Sequence, residues 1–157
     1  MSRMYRGPQK MLLCVDDSPM ILEFERRLFE QSGYIVVTVD SARRGLRLAM
    51  SFSFDAVLLD YHMPEMNGHD VPSEIRRLRP ETRVVMVSGG VVPEETTRMV
   101  DAVVPKGDAR RELLPTVDRL CGLSPTYEER KREIRGSPPH GRAALPSKVV
   151  GEAALYS

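Results

Sequence analysis

Several residues able to do metal or phosphate chemistry stand at the ends of short apolar runs. Asp16 and Asp17 follow Met11–Val15, Asp60 follows Ala56–Leu59, Ser88 follows Arg83–Val87, and Lys106 follows Ala102–Val104 after one proline. Carboxylates gathered in one crevice repel each other, and at least one must then hold its proton more tightly. A hard divalent cation removes that conflict. Mg²⁺ takes oxygen ligands, keeps several waters, and commonly binds one or two carboxylates plus a phosphate. A lysine and a hydroxyl on the same rim suit a transferred phosphoryl group, whose equatorial oxygens need positive charge and a hydrogen-bond donor. One carboxylate can then act as nucleophile and form an aspartyl phosphate. Each residue also has a plain reading. Asp17 suits a helix start, Asp60 a loop, Ser88 a turn before Gly89-Gly90, and Lys106 a surface. Their joint placement at the ends of runs one, three, four and five argues for a site.

That placement matters only if the runs lie side by side. Met11–Val15, Tyr34–Val39, Ala56–Leu59, Arg83–Val87 and Ala102–Val104 are largely continuous in apolar residues. Strands buried on both faces of a parallel sheet read this way. Helical patterns alternate with them. Ser18 is an N-cap with Pro19 at the first helical position. Ile21, Phe24 and Leu28 make an apolar stripe that Gly33 ends. A second helix carries Ala42, Leu46 and Ala49, and a third carries Val71, Ile75 and Leu78 before Pro80. A fourth, near Glu94–Met99, is short. The fifth, from about Asp108 to Cys121, contains Pro115, which predicts a kink or a late start. Strand–helix alternation of this kind predicts an α/β fold, a flavodoxin-like doubly wound five-stranded parallel sheet of order 2-1-3-4-5. Ligands of such sheets bind outside the carboxyl ends of the strands.

The chain has 157 residues, with 23 Lys and Arg against 22 Asp and Glu, enough for one domain and an excess. A formal charge of +1 argues against a broad basic footprint for nucleic acid. Cys14 and Cys121 lie far apart with no CxxC or Cys/His cluster, so they read as free thiols in a reducing compartment and not as zinc ligands. No secretory leader or membrane span is evident, which predicts a cytoplasmic protein.

The residues now resemble the receiver domain of two-component response regulators over roughly 9–122. Leu12-Leu13-Cys14-Val15-Asp16-Asp17-Ser18 is similar to the family's acidic-pair opening. Asp60-Tyr61-His62-Met63-Pro64-Glu65-Met66-Asn67-Gly68 is similar to its D-x-x-M-P-x-M-D/N-G segment. Val87-Ser88-Gly89-Gly90 and Val103-Val104-Pro105-Lys106 complete the set. The resemblance implies that Asp60 is the phosphoacceptor, attacking a phosphohistidine of a sensor histidine kinase or phosphotransfer protein. It implies that Asp17, Asp60 and the backbone carbonyl of His62 bind Mg²⁺, with Asp16 acting mainly through water. Lys106 would contact the phosphoryl group, and Ser88 would hydrogen-bond it and move toward it on activation. Such a module is not a turnover enzyme beyond slow loss of its own acyl phosphate. It is expected as a monomer or weak homodimer.

Three features depart from the family. The segment from Ser88 to Lys106 is a few residues shorter than usual, Val103 stands where many receivers carry Tyr or Phe, and Gly107 replaces the usual proline. All three fall on the side that normally transmits the signal. A small aspartate-based phosphatase or phosphotransferase is the enzymatic alternative, but it would place its acids as D-x-D, and here Asp16 and Asp17 are adjacent. A receiver-like binding module without phosphate would have lost Asp60 or Lys106. Residues 123–157 read as a polar, disordered tail with a short helix over 126–135, where Thr126 and Glu129 resemble a capping box. The other reading of the tail is a partner-binding peptide at Val149–Tyr156. A helix-turn-helix domain does not fit there, so direct DNA binding is not expected and output would pass through an unidentified downstream protein.

Overall fold

In the computed structural model of the chain, residues 9–122 are described, and the helix and peptide expected beyond residue 122 lie outside them. The strands are β1 (Met11–Val15), β2 (Ile35–Val39), β3 (Ala56–Asp60), β4 (Arg83–Ser88) and β5 (Ala102–Pro105). The helices are α1 (Pro19–Gln31), α2 (Ala42–Ser51), α3 (Asp70–Leu78), α4 (Glu94–Thr97) and α5 (Ala109–Leu120), and a 3₁₀ turn over Lys106–Asp108 precedes α5. The five strands are parallel throughout and lie in the order β2-β1-β3-β4-β5.

The apolar runs are explained by cover on both faces. Leu12, Cys14, Leu58, Val85 and Val87 point to one side, where Leu22 and Phe29 of α1 and Leu113 and Val117 of α5 meet them. Leu13, Val15, Val57, Leu59 and Met86 point to the other, against Ala42 and Ala49 of α2 and Val71 and Ile75 of α3. Residues of β3, and all but the first of β1 and β4, therefore have no solvent face on which to be polar, while the edge strands β2 and β5 are only partly covered. Each fully buried aliphatic side chain contributes about 1.5–3 kcal/mol.

Local signals set the helix ends. The Ser18 side chain accepts a hydrogen bond from the Ile21 amide at the start of α1. Gly33, at φ +93°, ends that helix in a left-handed conformation that residues with a Cβ rarely adopt. Pro115 sits inside α5, which nevertheless runs through from Ala109. It lies on the exposed face, as does Arg111, the residue whose carbonyl loses its helical donor. The fourth helix is a single turn, as its short sequence predicts.

Two stripes differ from expectation. In α1 the buried residues are Leu22, Glu25 and Phe29, with Phe24 and Leu28 packed at the flank. In α2, Gly45 takes the inner position between Ala42 and Ala49, and Leu46 is half-buried. A Cβ on Gly45 would lie 2.8 Å from Val15 Cγ2, so the missing side chain lets α2 press against the end of β1. Both cysteines are free, and burial raises the proton affinity of each thiol, that of Cys121 to about 11. They are therefore inert as thiolates at neutral pH.

Candidate functional site

Strand register brings the acids together. Val15 is level with Leu59 in the β1–β3 pair, so Asp16 and Asp60 leave the sheet side by side. Asp60 is level with Val87 across β3–β4, and Ser88 with Pro105 across β4–β5, which delivers Ser88 and Lys106 to the same edge. Asp16 and Asp60 are 2% and 4% exposed, while Asp17 is open to solvent. One carboxylate oxygen from each of Asp16, Asp17 and Asp60 lies within 4.8 Å of the others. Lys106 Nζ stands 3.3 Å from Asp60 Oδ2 and 3.8 Å from Asp16 Oδ2.

Backbone donors fix the two buried acids. The Ser18 amide donates to Asp16 Oδ1 at 2.9 Å, and the His62 amide donates to Asp60 Oδ1 at 3.1 Å. Burial raises the proton affinity of Asp16, the Ser18 amide lowers it, and the charge of Asp60 raises it again, leaving it above the ordinary carboxylate range. This oxygen-only, crowded and partly open donor set suits a small hard divalent cation. Ser88 is buried and occupied within its own loop. Its hydroxyl donates to the Gly90 carbonyl at 3.0 Å and accepts from the Gly90 amide at 3.1 Å.

The loop from Tyr61 to His69 folds back on itself at a tight contact between Gly68 and Tyr61. A Cβ on Gly68 would lie 2.6 Å from the Tyr61 carbonyl oxygen and 2.6 Å from two ring carbons. Gly68 is thus required by the path of the loop. The exposed His62 ring packs edge-on against Tyr61, with centroids 4.9 Å apart, and its Nε2 reaches to within 3.7 Å of the Cβ position of Gly90. The ring therefore sits at the mouth between the loops that follow β3 and β4.

Sequence reading missed one buried acid beside this site and one polar pair that ties its loops. Glu25, on the inner face of α1, is 3% exposed. Burial, then repulsion from Asp16 and Asp60, pushes its carboxyl up to about 8, against the attraction of Lys106. The spacing of Leu22, Glu25 and Phe29 along one helix face was the available signal. His69 holds the fully buried Thr96 through Nδ1···Oγ1 at 3.2 Å and so joins the end of the β3–α3 loop to α4. The two residues are far apart in sequence, and no local pattern announces the pair.

A family model described as the response regulator receiver domain matches residues 12–106. The chain belongs to this family. It is 29% identical over 126 residues to the response regulator SaeR of Staphylococcus aureus, a match covering 78% of this chain and 55% of that protein. The chain thus spans about half the length of the curated relatives it matches. Among solved structures it is similar to TrrA of Thermotoga maritima in complex with Mg²⁺-BeF, at 27% identity and a TM-score of 0.68, covering 71% of this chain and 99% of that one. It is equally similar in fold to a CheY-like receiver domain from Methanospirillum hungatei, at 27% identity and a TM-score of 0.68, covering 80% and 99%. TrrA has also been solved in complex with the histidine kinase ThkA, where the match is 28% identical with a TM-score of 0.67, over 74% and 100%. No helix of the described residues is long and apolar enough to cross a membrane.

Two departures from the family take visible form in this receiver. Val103 is half-buried and packs against the α2–α3 side of the core, a position with no aromatic ring to turn. Gly107 lies in the 3₁₀ turn after Lys106, and no peptide bond among the described residues is cis.

Proposed function

We propose that this receiver accepts a phosphoryl group on Asp60 from a phosphohistidine of a sensor histidine kinase or phosphotransfer protein. An Asp60 carboxylate oxygen attacks phosphorus, a P–O bond forms, the P–N bond breaks, and its electron pair leaves with the imidazole nitrogen. Lys106 offsets charge on the equatorial oxygens, and Ser88, released from Gly90, donates to one of them. Asp17, Asp60 and the His62 carbonyl would hold Mg²⁺, with Asp16 acting through water. The bound ion supplies charge neutralisation between the carboxylates and the incoming phosphate. The acyl phosphate then hydrolyses slowly, and the signal passes to a protein partner.

The observation that carries this reading is the approach of Lys106 Nζ to Asp60 Oδ2 inside a triad of carboxylates. The complex of TrrA with ThkA supports a histidine kinase as donor, and the Mg²⁺-BeF complex of TrrA supports the metal. The deciding experiment incubates the chain with Mg²⁺ and acetyl phosphate and measures intact mass. A single phosphoryl adduct that is absent in Asp60→Asn is expected. An adduct retained in Asp60→Asn moves the acceptor elsewhere, and no adduct from acetyl phosphate or any histidine kinase removes the reading.

A further inference from the structure

Away from the carboxylate pocket, Arg43, Leu46, Arg47 and Met50 of α2 line an open groove of about 390 Å³ with Met66 of the β3–α3 loop. The four α2 residues are spaced i, i+3, i+4, i+7 and form one continuous stripe. The adjoining face of α2 is committed to the sheet through Ala42, Gly45 and Ala49, and Leu46 and Met66 pack at its margin, each half-buried. Met50 is 47% exposed, and the neighbouring Phe52 is 57% exposed.

The charge on this stripe is unbalanced. Helix α2 contains no acidic residue. Arg44 pairs with Asp40, and Arg26 and Arg27 on α1 both pair with Glu23, but among the described residues Arg43 and Arg47 make no ion pair or hydrogen bond. Two like charges at i, i+4 repel, which is a cost to the isolated helix. The groove is also held in shape. The Arg79 guanidinium donates to the Met50 carbonyl at 2.8 Å, tying the end of α2 to the end of α3. Two methionines give a polarizable lining that adapts to different aliphatic side chains.

We propose that this face docks an acidic amphipathic helix of a partner protein. Its apolar residues would lie on Leu46, Met50 and Met66, and its carboxylates would pair with Arg43 and Arg47. A helix suits the site because the stripe runs for about two helical turns and offers no open sheet edge for an extended strand. The inference is independent of phosphorylation at Asp60.

The test titrates the ¹⁵N-labelled chain with a short synthetic helix carrying leucines at i and i+4 flanked by glutamates, and with its lysine counterpart. Saturable shifts confined to residues 43–50 and 66–67 are expected, with roughly ten-fold weaker binding of the lysine peptide. Arg43→Glu with Arg47→Glu should reverse that preference, and Met50→Asp should abolish both. All three positions are exposed, and an unchanged dispersed spectrum verifies the fold of each variant. No saturable shift, shifts elsewhere, or equal binding of the two peptides overturns the proposal. So does sedimentation of the free chain as a dimer that Met50→Asp dissociates, or Arg43- and Arg47-dependent flotation with phosphatidylserine vesicles in place of peptide binding.

Discussion

Lys106 Nζ lies 3.3 Å from Asp60 Oδ2, one residue past the end of β5 and at the end of β3. The ammonium neutralises a carboxylate that is almost wholly buried. Removing one member of a buried pair costs roughly 3–5 kcal/mol, because the other charge is left uncompensated. Lys106 is about one-third exposed, so water recovers part of that loss, and we expect Lys106→Met to destabilise the metal-free chain by about 1–3 kcal/mol. With saturating Mg²⁺ the loss should shrink, since a cation at the triad takes over the neutralising role. Urea unfolding in EDTA and in Mg²⁺ measures both. Equal losses in the two buffers would show that Lys106 does not neutralise the carboxylates the metal occupies.

Glu25 has the opposite relation to the same charges. Its folded proton affinity is raised to about 8 by burial and by the nearby carboxylates. Between its ordinary value and about 8 the folded state holds a proton that the unfolded state has released. Stability therefore falls as pH rises through that window and levels off above it. Glu25→Leu removes the buried acid and should flatten the profile, leaving the variant about 1–3 kcal/mol more stable than wild type at alkaline pH. Melting curves from about pH 5 to about pH 9 test this. Parallel profiles for the two proteins would place the titration on another group.

The sheet and the edge that carries the carboxylates were legible because both follow from short-range patterns. Strands covered on both faces must be continuously apolar, and the inner strands β1, β3 and β4 are so over Met11–Val15, Ala56–Leu59 and Val84–Val87. Their carboxyl ends and that of β5 were read to within one residue, which sufficed to align Asp16, Asp60, Ser88 and Lys106. The helix faces were less legible. Choosing Ile21, Phe24 and Leu28 as the inner stripe of α1 hid Glu25, because a charged residue is not expected to point at a sheet. Long-range polar contacts were silent altogether. Asp101 accepts from the Val84 amide and from Arg76 and Arg83, which overcome its burial and hold its carboxyl below the usual range. Nothing local to Asp101 specifies those partners.

Gly68 makes a loop prediction possible. Alanine there would put a methyl carbon 2.6 Å from the Tyr61 carbonyl oxygen, a backbone atom with no rotamer to change. Overpacking of this kind costs about 1–3 kcal/mol. The displaced backbone also carries the His62 amide that holds Asp60, so Gly68→Ala should weaken divalent-cation binding as well as stability. Adding Tyr61→Ala relieves the ring contacts but not the carbonyl contact, and only partial recovery is expected. Full recovery in the double variant, by thermal melt and Mg²⁺ titration, would assign the whole effect to the ring.

The His62 ring stands at the mouth of the pocket, edge-on to Tyr61 and reaching toward Gly90. A phosphoryl group on Asp60 would share that mouth with the ring, and water attacking phosphorus would pass it. The ring fills space beside that path, so its removal should open the acyl phosphate to water. We therefore expect His62→Ala to shorten the acyl-phosphate lifetime, and His62→Gln, which keeps a polar side chain of similar reach, to restore part of it. Dephosphorylation timed by loss of the intact-mass adduct provides the measurement. An identical lifetime in wild type and both variants would mean that the ring is a bystander at the mouth.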